Sequence, residues 1–204
     1  MRTSRLEAFS DGVLAIIITI MVLELKVPDG HDLASLLPVI GSSLLTYLLS
    51  FVYIGIYWNN HHHMFQVTEK ITGGVLWANL HLLFWLSLLP FSTAWMDESS
   101  LARTPVVAYG INLLAAAAAY LILQRVIIRG QGADSALKRA MGRDFKGKAS
   151  LVLYTAGVLT ALLGGEHDRI FAYVGVGLFV VVAILWLVPD RRIERNLGAG
   201  HQPA

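Results

Sequence analysis

Asp11 and Thr19 stand out chemically, because both lie inside the apolar run from Arg5 to Leu25, RLEAFSDGVLAIIITIMVLEL. An ionisable side chain in a segment of membrane-spanning length is costly, and marks a functional site whose partner sits on a neighbouring helix. At about 100° per residue, Gly12, Ile16, Thr19 and Leu23 share one stripe, since steps of four, three and four return to nearly the same face. In a symmetric oligomer with this stripe toward the axis, Ile16 and Leu23 form hydrophobic constriction rings. Thr19 then supplies a ring of oxygens between them. Such constrictions gate by dewetting, and ligand oxygens replace hydration water around a monovalent cation. The same spacing also suits a helix interface in which Thr19 bonds back to a carbonyl three or four residues earlier. Periodicity leaves both readings open.

Asp11 is six residues from Arg5, about 240° round a helix, so the two face different partners. Ser10 and Asp11 are expected to bond to polar groups on the second and third helices, such as Trp58, His62 or Asn79, fixing the first helix from behind. A buried carboxylate without such donors would protonate. His61, His62 and His63 invite a metal reading, but neighbours on a helix point about 100° apart and do not converge on one ion. The HExxH spacing of a zinc hydrolase is absent as well. They are read as capping the cytoplasmic end of the second helix, with His62 reaching into the bundle. No nucleophile, base and orienting group share a recognisable spacing, so no enzyme is expected, and no cofactor.

The elements that must carry these residues are helices in a bilayer. Of the 204 residues 55% are hydrophobic and 15% charged, with a mean hydropathy of +0.60, a composition typical of an all-α polytopic membrane protein. Cysteine is absent, which excludes disulfides and thiol chemistry. Six apolar runs of spanning character appear, at Leu6 to Leu25, Leu33 to Trp58, Val75 to Trp95, Pro105 to Ile128, Ala149 to Leu163 and Ile170 to Val188. Together they form one transmembrane domain over 1–190, followed by a tail over 191–204 expected to be disordered. The first run is read as a retained helix and not a signal peptide, since it ends in Glu24, Lys26 and Pro28. Pro90 should kink the third span. The Ala115 to Ala119 run and the Gly175-x-Gly177 pair offer small surfaces for close helix packing.

Six spans put both termini on one side, with all 16 Lys and Arg residues except Lys26, Arg103 and Arg169. The positive-inside rule makes that side cytoplasmic, in a plasma (inner) membrane. The basic residues are thus a topology signal, and nucleic acid is not an expected partner. The basic stretch Gly130 to Lys148 is read as a cytoplasmic loop near anionic headgroups. Seven acidic residues, Glu24 and Asp97 among them, would face outward, for a net outward charge of −4. They either concentrate cations at a mouth or are simply solvated loop charges.

The segment Arg5-x-x-x-Phe9-Ser10-Asp11-Gly12-Val13, with Ala15-Ile16 and Thr19, resembles the signature of the transmembrane protein 175 family of prokaryotic and lysosomal potassium channels. Tyr57-Trp58-x-x-His61-His62-x-x-Phe65 and the run from Asn79 to Phe91 look like that family's second and third helices; the later helices resemble it mainly in length and hydropathy. The resemblance implies a homotetramer with the first helix around a central pore that passes potassium without a carbonyl filter; the TVGYG sequence is indeed missing. Position by position, it makes Ile16 and Leu23 the constriction rings and Thr19 the layer linked to potassium preference. A proton- or sodium-coupled secondary transporter using Asp11 and His62 as a relay is the alternative. Transporters of that kind usually carry inverted repeats and interrupted helices, and no internal repeat is visible in this chain.

Overall fold

A computed structural model describes residues 3–132, 135–141, 144–165 and 169–187. The regular elements among the described residues are all helices. Helix α1 (Thr3–Leu23) is followed by the short α2 (Leu33–Pro38), which runs through a π-helical turn, Val39–Ser43, into α3 (Leu44–Gln66). Then come α4 (Gly73–Ser87), α5 (Leu89–Glu98), α6 (Arg103–Gln131), the short α7 (Ala136–Met141), α8 (Phe145–Leu163) and α9 (Ile170–Leu187).

Among the described residues, four helical stretches are long and apolar enough to cross a membrane: α1, α4 with α5, α6, and α9. Of the six expected spans, those built on α3 and α8 are not in this group. The physical reason is local. Asn59, Asn60 and three histidines lie within α3, and α8 opens with Lys146 and Lys148. Helix ends also differ from expectation. Helix α1 begins at Thr3 and stops at Leu23, while α3 runs on past Trp58 to Gln66, so that the histidines lie on the helix and only His63 belongs to its last turn. Helix α8 starts four residues before Ala149, drawing two lysines from the expected loop into its first turns. Asp144 caps it, accepting the Gly147 amide at 3.2 Å, which satisfies an end amide and offsets cations at the positive pole of the helix. The tail over 191–204 lies outside the described residues.

Pro90 behaves as its chemistry requires. Helix α4 closes at Leu88, and the proline falls in the first turn of α5, where a missing N–H is tolerated. Helix α6 is the centre of the bundle: 61% of its apolar window is buried, against 28% for α1 and for α9. It packs against α4, α5, α8 and α9. Helices α8 and α9 approach closely at Gly157 and Gly175, where a Cβ on Gly175 would lie 2.8 Å from the Gly157 carbonyl oxygen. Phe179 fills the space that a side chain on Gly157 or Gly110 would need. Gly177 faces open space, so only Gly175 of that pair serves packing. On the end where α1 and α5 terminate, Lys26 pairs with Glu98 at 3.1 Å and the Arg169 guanidinium donates to the Ser100 carbonyl at 2.9 Å.

Candidate functional site

Helix α1 has two faces with different duties. Leu6, Ser10, Leu14, Ile17 and Met21 are buried, at helical spacing, against α3, α4 and α5. The opposite stripe, Gly12, Ile16, Thr19 and Leu23, is exposed in the single chain, Ile16 to 59% and Leu23 to 81%. Thr19 donates its hydroxyl proton to the Ile16 carbonyl at 2.8 Å. This back-bond is the local arrangement expected of a threonine on a helix. It leaves the oxygen lone pairs pointing away from the helix, so back-bonding and cation contact are compatible at this residue.

Behind the stripe, side chains of α3 and α4 hold α1 in rotation. The Trp58 indole donates to Asp11 Oδ1 at 3.0 Å. Ser10, fully buried, donates to the Leu6 carbonyl at 2.9 Å and accepts from the Asn79 amide nitrogen at 3.0 Å. The Asn79 carbonyl oxygen therefore faces His61, whose Nε2 lies 2.8 Å away and carries the proton. The bonds run in one direction: His61 to Asn79, Asn79 to Ser10, Ser10 to Leu6. His61 Nδ1, at the head of the chain, is buried without a partner among the described residues.

Of the expected support residues, Ser10, Asp11, Trp58 and Asn79 meet as bonded pairs. His62 does not join them. It pairs with Glu7 at 3.2 Å and with Gln66 at 2.8 Å, and its ring stacks on Trp58. Reaching into the bundle, the part expected of His62, is done by His61, which is 1% exposed. Arg5 is exposed, and no hydrogen bond or ion pair to it is seen among the described residues. Sequence reasoning missed His61 and Glu7. The buried stripe of α3, Ser50, Tyr53, Tyr57, His61 and Met64, steps by three and four residues and would have selected His61 over its neighbours. The three histidines diverge, and among the described residues no three His, Cys, Asp or Glu side chains converge on a metal position.

This geometry lies within a stretch with known relatives. Residues 5–90 match the family described as the endosomal/lysosomal potassium channel TMEM175. A potassium channel of Chryseobacterium sp. (strain P1-3) is 53% identical over 197 residues, covering 97% of this chain and 98% of that protein. The chain belongs to the TMEM175 family. A crystal structure of a lysosomal potassium-selective channel TMEM175 homolog from Chamaesiphon minutus superposes with a TM-score of 0.74 at 28% identity, covering 91% of this chain and 96% of that one. The human endosomal/lysosomal proton channel TMEM175 is 35% identical over 112 residues, half of this chain and 22% of its own length. TMEM175 proteins are ion channels and not enzymes. The family match takes in the α1 stripe and the Glu7, Ser10 and Asp11 bonds behind it, and ends at Pro90.

Proposed function

We propose that this TMEM175 chain is a passive, potassium-selective cation channel in the plasma membrane. It assembles as a homotetramer of six-helix subunits, with residues 1–190 as the channel domain, α1 lining the pore, and both termini and the tail over 191–204 in the cytoplasm. Ile16 and Leu23 are the constriction rings, Thr19 the oxygen layer between them, and potassium the permeant ion. Ser10, Asp11, Trp58, His62 and Asn79 belong to the support of the pore helix, joined by His61 and Glu7, while Arg5, exposed and without a side-chain bond among the described residues, stands outside it. The observation that carries this reading is the division of α1: one face is tied down by directional bonds, and the other leaves two large apolar residues and a hydroxyl uncovered. Large apolar exposure flanking a polar residue suits a self-facing interface in a membrane. The names of the relatives support potassium as the ion.

The coupled-transporter reading needs a proton or sodium relay between Asp11 and His62. Asp11 instead takes the Trp58 indole, and His62 takes Glu7 and Gln66, so no direct bond links the two. The test is flux through purified protein in liposomes under a potassium gradient, with sodium substitution and with Thr19→Ala. Fast, voltage-driven potassium flux whose preference over sodium falls about tenfold in Thr19→Ala, about 1.4 kcal/mol of discrimination, is the expected result. Flux that appears only with a proton or sodium gradient sinks the channel and restores the relay.

A further inference from the structure

A second set of oxygens, away from the exposed α1 stripe, is gathered where α1, α3 and α5 meet. A half-open pocket of about 20 Å³ is lined there by Glu24, Ser43, Thr46, Thr93 and Asp97, with apolar neighbours such as Met21 and Pro90. Thr93 and Asp97 stand one turn apart on the same face of α5. Thr46 and Thr93 are more than nine-tenths buried, at 7% and 6% exposure; Thr46 donates to the Ser43 carbonyl at 3.0 Å and Thr93 shares a hydrogen bond with Ser50 at 2.7 Å, which leaves oxygen lone pairs on each. Ser43 comes from the π-helical turn, a distortion that often accompanies functional sites. The Oδ1 atom of Asp97 is closed off from solvent and has no hydrogen-bond partner among the described residues. Asp97 is part-exposed as a residue, and a cation that reaches its solvent-closed oxygen is favoured. Lys26, the cation at this end of α1, is taken by Glu98.

We propose that this pocket binds a calcium-class divalent cation on the outer side of each subunit, through the carboxylates of Asp97 and Glu24 and the hydroxyls of Ser43, Thr46 and Thr93. Oxygen-only donors on three separate elements suit a hard cation that accepts irregular coordination by six to eight ligands. Two carboxylates balance a double charge, and hydroxyls are weak ligands, which places the affinity in the range of extracellular calcium modules, about 0.1–1 mM. Occupancy ties Glu24, the residue after Leu23, to α3 and α5.

Thermal unfolding of the full chain in detergent, with about 10 mM calcium chloride against chelator at matched ionic strength, tests this without any flux measurement. Calcium is expected to raise the wild-type midpoint by about 3 °C or more. The rise should vanish in Asp97→Asn and shrink in Glu24→Gln, and persist in Glu98→Gln, whose carboxylate lies outside the pocket. Should Asp97→Asn fail to fold, the exposed Glu24→Gln and the buried Thr93→Val carry the comparison. A wild type that does not respond, a rise of equal size in the pocket variants, or one reproduced by sodium chloride overturns the site.

Discussion

Helices α1 and α9 lie equally little buried in the subunit, yet they are fastened in different proportions of packing and hydrogen bonding. Helix α9 is held largely by shape, with the Trp186 indole donating to Ser150 Oγ at 2.8 Å and the Tyr53 hydroxyl donating to the Phe179 carbonyl. Gly175 meets Gly157 backbone to backbone, and Phe179 fills the notch left by Gly157 and Gly110. Such contacts favour proximity through dispersion and close approach. Helix α1 adds Trp58 to Asp11, Asn79 to Ser10 and the Glu7–His62 pair, all in its first three turns. Hydrogen bonds are directional, so they set the rotation of a helix about its own axis as well as its distance from the bundle. On α9 the directional bonds sit at Phe179 and Trp186, in its middle and last turns, whereas on α1 they gather in the first turns, behind the exposed stripe.

The sharpest way to test this contrast is Gly157→Val. A Cβ there would lie 2.5 Å from the Phe179 ring and 3.1 Å from the Gly175 carbonyl oxygen, so the expected cost is large, about 3 kcal/mol or more. It should appear as a lowered unfolding midpoint, with unchanged ion preference in whatever protein remains folded. Asn79→Leu comes next, because it leaves Ser10 and His61 buried without their shared partner, at about 1–3 kcal/mol for each group left unsatisfied. Here the ion preference should shift along with stability. If Asn79→Leu only lowers the midpoint and selectivity holds, the network is a fastener like the glycine seam and the contrast between the two helices collapses. Trp58→Phe removes the indole donor to Asp11 and keeps a ring to stack on His62. At this exposed position the loss should be below about 1 kcal/mol, seen as a small change in ion preference at nearly constant midpoint.

The sequence made the exposed stripe of α1 legible because helix period alone groups Gly12, Ile16, Thr19 and Leu23. Asn79 was legible for a different reason, since an amide in an apolar helix needs a partner. His61 was hidden by chemistry: three identical side chains in a row carry no mark of which one turns inward, and only the register of the buried residues on α3 decides. The start of α8 was missed because lysines read as loop, whereas the Asp144 cap and the long lysine stems let a helix begin among them. The pore role of the stripe drew on family resemblance, since an exposed apolar face by itself also suits lipid.

The bond from the Thr19 hydroxyl to the Ile16 carbonyl has one more consequence. With its proton spent on its own helix, the hydroxyl turns only electron pairs outward. Where this face borders a water-filled passage, the threonine behaves as a small negative pole that carries no formal charge. A chloride ion would find no donor there to replace its lost water, while a cation would find an oxygen. The sign of the passing ion can thus be read by a neutral side chain, at every pH at which the helix is intact.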